Sequence, residues 1–200
     1  MAGQLQQLQN LVRLAHEQSS EKRRELLDGV SQLFLDNGGA DLQPSEKLLA
    51  GEILSRIVND VEQQFRAEVS ARFADLSDAP HDFVKKLAMD VIAVAEPVLR
   101  RSGVLSDKDL VEIVRGQSPE HQIAVAERPS VSEVVSAALV DYGDDRALVS
   151  LARNEGASLS RESMEQFVAR SEPSAMPRDP WRAPPGRPAA RSLPRIPLPT

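Results

Sequence analysis

Apolar residues recur at three- and four-residue intervals along most of this chain, and short polar stretches interrupt them. Leu5, Leu8, Leu11, Val12 and Ala15 form one helical stripe, and Ser19 and Ser20 offer caps to a second helix. That helix turns Leu26, Leu27, Val30, Leu33 and Phe34 to one side, and Gly38 and Gly39 stop it. "SEKLLAGEILSRIVND" follows, with Ser45 as its expected cap and Leu48, Leu49, Ile53, Leu54 and Ile57 facing inward. Asp60 and Gln63 have the spacing of a capping box for a helix carrying Val61, Phe65, Val69 and Phe73.

The pattern continues through "PHDFVKKLAMDVIAVAEPVLRRSG", where Pro97 lacks the N–H a helix interior needs and predicts a kink or split near residues 95 to 97. Lys86 and Asp90 are spaced as a local i,i+4 pair, and Asp90 also offers a cap to the second part of a broken helix before Val91. Four more helices are opened by Ser106, Ser118, Ser132 and Asp144, and a last one by Ser160. Pro119 follows Ser118 at the first helical position, where its missing N–H costs no hydrogen bond. Gly116, Gly143 and Gly156 punctuate the turns, and "QIAVAE" is the one short run that alternates like a strand, although its caps favour helix.

About ten short amphipathic helices joined by tight turns suit stacking of neighbour on neighbour. "AER" at 126 to 128 and "ARN" at 152 to 154 lie 26 residues apart, and Ser132 and Ser160 lie 28 apart. The expected fold is all-α: a short α-solenoid of helical pairs over residues 1–171, in preference to a closed bundle.

Composition changes this picture at one end only. Residues 172–200 hold nine of the fourteen prolines, with five arginines against two acids, so this segment carries +3 and the rest of the chain −9, against −6 overall. Proline at that density blocks helix, and the segment's few large apolar groups do not offset the entropy of ordering it. A disordered tail is expected, with Trp181 in "PRDPWRAPPG" exposed to water. The body has 4% aromatic residues in the chain as a whole to draw on, so its core must be built from Leu, Val, Ile and Ala. With no cysteine there is no disulfide, thiolate metal site or cysteine nucleophile. No apolar run reaches the length of a membrane span, and the N-terminus lacks a signal-peptide pattern, so a soluble cytoplasmic protein is expected.

Three stretches carry a family resemblance: "LVRLAHEQSSEKRRELLDGVSQLFL", "GEILSRIVNDVEQQFRAEVSARFADLSDAP", and the long block from "LAMDVIAVAEPVLRRSG" through "ALVDYGDDRALVSLARNEGASLS". Over about residues 5 to 170 the chain resembles the alphaproteobacterial family known as domain of unknown function 2336. The resemblance implies HEAT-like or leucine-rich-variant-like helical repeats, and it brings no reaction, ligand or functional residue with it. Longer members continue with further helical units after the counterpart of "RESMEQFVARS", whereas this chain turns to proline and arginine. An array cut short there would leave apolar residues uncovered near Met164 and Phe167.

The polar residues supply no complete chemical constellation. His121 is expected on the exposed side of its first helical turn, and neither it, His16 nor His81 has a second histidine at i+4 as a one-helix metal pair requires. No metal ligand and no cofactor is therefore expected. The serines stand before helices, where capping explains them, and none lies in a G-x-S-x-G context. Asp144 and Asp145, like the acids of "DKD" at 107 to 109, fit helix starts. Glu127 and Arg128, held before Pro129, are the interaction candidates together with His121; the structural alternative has Arg128 closing a helix end and pairing with Glu127 or Glu133.

The expected function is a noncatalytic scaffold that binds a protein or peptide partner on a helical-repeat surface, with an acidic body favouring basic groups. Two alternatives stay open: an enzyme whose distant polar residues meet in a pocket, and nucleic-acid binding through a local basic patch or the tail. The net charge of the body weighs against nucleic acid.

Overall fold

A computed structural model describes residues 20–35 and 42–171. They form ten α-helices: α1 Ser20–Leu35, α2 Pro44–Ile57, α3 Gln63–Phe73, α4 His81–Ala88, α5 Ile92–Arg101, α6 Asp107–Gly116, α7 Pro119–Ala126, α8 Glu133–Tyr142, α9 Asp145–Arg153 and α10 Arg161–Ser171. A single 3-10 turn, Val58–Asp60, joins α2 to α3. The expected helix at residues 5–15, the glycine pair at 38 and 39, and the proline-rich segment from 172 lie outside the described residues.

The fold is a helical-repeat array. Most helices pack on the one two places along: α1, α3, α5, α7 and α9 make one ladder, and on the other side α2 packs on α4, α6 on α8 and α8 on α10, with α4 and α6 joined by side-chain bonds from His81 to Asp109 and from Lys85 to Glu112. The core runs between the ladders, from Leu26, Leu27 and Phe34 through Leu54, Phe73, Phe83 and Leu99 to Leu139 and Leu151, all almost inaccessible. At the N-terminal end Phe73 bridges Phe34 and Phe83, with ring centroids 6.0 and 5.0 Å away, the second pair edge-on. Beyond Phe83 the buried hydrophobic residues are all aliphatic, with the small Ala95, Ala124, Ala126, Ala138 and Ala147 among them.

Local capping follows the sequence closely. Ser132 Oγ accepts the Val135 N–H at 3.3 Å, Asp144 the Ala147 N–H at 2.8 Å and Ser160 Oγ the Ser163 N–H at 3.1 Å. Ser106 and Asp109 form a reciprocal box at the start of α6: Asp109 N–H donates to Ser106 Oγ, and Ser106 N–H to the Asp109 carboxylate. "QIAVA" of this run is helical within α7, and Glu127 is its C-cap. One parallel bridge joins Val131 to Ala157, stacking the turn before α8 on the turn before α10.

Four expectations need correction. The long segment around Pro97 breaks at Met89–Val91, not at residues 95 to 97. Met89 ends α4 with φ −97° and ψ 0°, Asp90 accepts the Val91 N–H with its own carboxylate at 2.7 Å, and α5 then runs through Pro97. A proline φ is helical, so the ring is tolerated where neighbouring side chains hold the helix in place. The cap of α2 is Gln43, with Pro44 and not Ser45 at the first helical position. Asp60 belongs to the 3-10 turn and α3 starts at Gln63. Leu48 and Leu49 face outward, 73% and 40% exposed, because the α2 stripe that meets the core is Ala50, Ile53, Leu54 and Ile57.

Candidate functional site

The end of an α-helix leaves carbonyl oxygens without intrahelical partners. In this array side chains from the next unit fill them. Lys86 on α4 donates to the carbonyl of Ser55 in the last turn of α2, and Arg101 at the end of α5 reaches Ala71 of α3 at 3.3 Å. His121 Nε2 meets the carbonyl of Asp90 beyond α4 at 2.8 Å. Arg128 places one nitrogen on Leu99 and another on the C-cap Ser102, at 2.8 Å for the latter. Asn154 donates to both Ala126 and Arg128 at 2.7 Å, and Arg170 to Val140 and the C-cap Gly143, the second at 3.0 Å. Donor follows acceptor by 26 to 31 residues in all six cases.

The three interaction candidates read from the sequence fall into this scheme. His121 is buried, 4% exposed, and not on an open face, because the α7 turn that carries it is packed against the end of α4. A carbonyl only accepts, so Nε2 carries a proton; Nδ1 lies 2.9 Å from Ser118 Oγ. Arg128 closes the end of α5 and not of its own helix, and pairs with neither Glu127 nor Glu133. Burial pushes its pKa down from the usual arginine value and the charge of Asp107 counters that, but a guanidinium stays protonated at neutral pH. Glu127 is exposed and pairs with Arg100, which also holds Glu96 at 3.0 Å. The three therefore sit at one junction of successive units without converging on a common point in solvent.

Asp90 has a larger role than its sequence context showed. Its carboxylate takes Arg66 Nε at 2.6 Å and the second guanidinium nitrogen at 2.9 Å, while its carbonyl takes His121, so one residue ties three consecutive units. Lys86, the expected partner, is committed to Ser55.

The most concentrated polar cluster was missed by the sequence reading. His81, at the start of α4, bonds Asp109 through Nε2 at 2.8 Å and Asp82 through Nδ1 at 3.2 Å. Lys85 bridges Asp109 and Glu112 at 3.0 and 2.7 Å, and Ser106 Oγ also donates to Asp109. Burial opposes the charge on Asp109, yet hydrogen bonds from Ser106, His81 and Lys85 outweigh it and hold this carboxyl far below the usual range. Its hydrogen bond to Asp109, then that to Asp82, raises the His81 pKa. The recurring signal is spacing: His81 and Asp109 are 28 residues apart, about one unit.

His81 also stands at the rim of an open groove of about 840 Å³ between α2 and the start of α4. Leu48, Gly51 and Pro80 line it together with Glu52, Arg56 and Asp82. Gly51 is required there, since a Cβ in its place would lie 2.8 Å from the Pro80 Cβ. Lys47 and Asp78 close one side as an ion pair. Among the described residues no group of three or more His, Asp or Glu side chains is arranged to hold a metal ion, and no helix is long and apolar enough to cross a membrane.

These features define an all-α helical-repeat protein with an open groove on its N-terminal units. Residues 94–190 match the model of a family described as an uncharacterised protein conserved in bacteria, DUF2336. The match starts later than the resemblance over residues 5 to 170 and runs past α10 into the proline- and arginine-rich segment. No curated protein and no solved structure matches the chain.

Proposed function

We propose that the protein is a noncatalytic interaction scaffold of the cytoplasm, and that the groove between α2 and α4 receives an extended peptide segment of its partner. The observation that carries this is Leu48, a large apolar side chain left 73% exposed on α2 in a groove that Ala79 and Pro80 also line. A peptide that places an apolar residue against Leu48 and Pro80 would remove this surface from water, and Glu52 and Asp82 favour basic residues beside it. The acidic body, at −9 over residues 1–171, adds a long-range attraction for such a peptide. A cysteine-free chain accords with a reducing compartment.

The test is selection of peptides from a random display library on the full-length protein, with affinities measured against Leu48→Asp and Glu52→Lys. Peptides pairing an apolar with basic residues, weakened at least tenfold by Leu48→Asp, support the reading. Selected peptides indifferent to both substitutions contradict it.

An enzymatic reading draws on the His81–Asp109 pair at the groove rim. The arrangement opposes it: both imidazole nitrogens face carboxylates, which favours the doubly protonated ring, and Ser106 lies on the carboxylate and not on the imidazole. Turnover of a defined substrate, lost in His81→Gln with the fold intact, would establish it.

A further inference from the structure

The last two described helices carry an apolar surface that the array covers elsewhere. Met164 and Val168 on α10 are 52% and 53% exposed, whereas Ser136 and Val140, 28 positions earlier on α8, are buried. Val149 on α9 is 48% exposed, whereas Ile123, 26 positions earlier on α7, packs partly against the core. α9 packs on α7 and α10 on α8, so the exposed residues of α9 and α10 stand where a further pair of helices would sit. Charged residues flank them in the same register. One column through α5, α7 and α9 reads Arg100, Glu127, Arg153, spaced by 27 and 26 residues, and Arg100 is ion-paired with Glu127. Glu120 occupies on α7 the place of Arg146 on α9, and these two pair at 3.1 Å. Arg153, exposed and one turn beyond Val149, makes no ion pair among the described residues.

We infer that this face of α9 and α10 docks a helix of a partner protein, one that lays an apolar stripe on Val149, Met164 and Val168 and sets an acid against Arg153. The shape follows from the array, in which helices cover the equivalent positions of α7 and α8. Arg161, Met164 and Val168 follow one another at three and four residues and so share one side of α10, as Val149 and Arg153 share one side of α9. The charge follows from the column: Arg100 meets Glu127, and the next member after Arg153 is an acid. Two acids stand beside the face. Asp145 lies at the start of α9, where the helix dipole favours it, and Glu165 is held by Arg161 at 2.9 Å. Other occupants fit less well. Residues 172–200 carry five arginines against two acids, the wrong sign for Arg153. A second copy does not supply the acids that play this part within the array, since Glu127 and Glu120 are already paired with Arg100 and Arg146. The surface is distinct from the groove between α2 and α4 and does not depend on what that groove binds.

The experiment uses the full chain, which has no cysteine, so Val168→Cys carries a single thiol on this face. That thiol should react with a maleimide as fast as an unstructured peptide thiol does, at every protein concentration. A library of small helical scaffolds, randomised on one helix, is then selected on the full-length parent. Binders should carry apolar residues flanked by Asp or Glu and should protect the Val168→Cys thiol. Their affinity should fall roughly tenfold on Arg153→Glu, and exchange of their acids for lysine should restore it on that variant. Leu48→Asp, in the groove, should leave it unchanged. Slow labelling of Val168→Cys at all concentrations overturns the assignment, because the chain itself then covers the face. Slow labelling that sets in with rising concentration overturns it in favour of a second copy. Binders that lack acids, ignore Arg153→Glu or leave the thiol unprotected overturn it as well.

Discussion

Arg128 and Arg170 make the same contact, each laying its guanidinium across a helix-end carbonyl and the C-cap carbonyl three residues later, Leu99 with Ser102 and Val140 with Gly143. One planar fork thereby satisfies two orphan acceptors of the preceding unit. Leu99 and Ser102 are fully buried, so removing the donor leaves two acceptors without water. Arg128→Ala should cost about 2–3 kcal/mol in chemical denaturation. Arg128→Lys should recover only part of this, because an ammonium does not reproduce the planar fork. Equal stability of all three proteins would show that the contact is dispensable.

Gly156 and Gly116 should respond with opposite signs to alanine. A Cβ at Gly156 would stand 2.0 Å from the Pro129 carbonyl oxygen, a backbone atom flanking the bridge of Val131 to Ala157. The turns must separate to admit it, and a loss of at least about 2 kcal/mol is expected. Gly116 ends α6 with nothing within 4 Å of its added Cβ. There alanine should stabilise by about 0.5–1 kcal/mol, through helix propensity and a less flexible unfolded chain. Thermal melts of the two variants beside the parent decide the signs.

Stability should also carry a histidine-dependent slope with pH. The folded state raises the His81 pKa, chiefly through its hydrogen bond to Asp109. The protonated link therefore contributes fully below the unfolded value of about 6.5 and is lost as pH rises through the folded value. Asp109, with its pKa lowered, remains ionised across this window, and its own contribution is lost only in strong acid. His81 is half exposed, so the effect is modest. The difference in Tm between the parent and His81→Gln should shrink as pH is raised from 6 to 9; a difference independent of pH would contradict the charged pair.

Much of the architecture is legible in the sequence because helix starts are local. Ser106, Ser132, Asp144 and Ser160 cap the helices they precede, and Pro119 opens α7, since each needs only its neighbours three residues on. Contacts between units are another matter. The 26-residue interval relating Arg128 to Asn154 is visible in "AER" and "ARN", but that both cap the helix of the preceding unit follows only once the ladders are in register. Asp90 has a lysine at i−4 and takes an arginine 24 residues back; His81 has Asp82 beside it and takes Asp109 as its shorter contact. The burial of His121 was hidden for the same reason. Pro97 misled in the other direction, because the helix break is set by the Met89 backbone and the Asp90 carboxylate and not by the proline.

The central claim is that successive units are held together by side chains that cap the helices of the unit before, as in a one-dimensional array. Hydrogen–deuterium exchange of the parent and Arg128→Ala, under native conditions and resolved by peptide, tests it most directly. The account predicts that protection falls most in α5 and the α7–α8 turn, where Arg128 joins the units, and least in α1 and α2. A uniform fall along the whole chain, or unchanged protection at the end of α5, would contradict it.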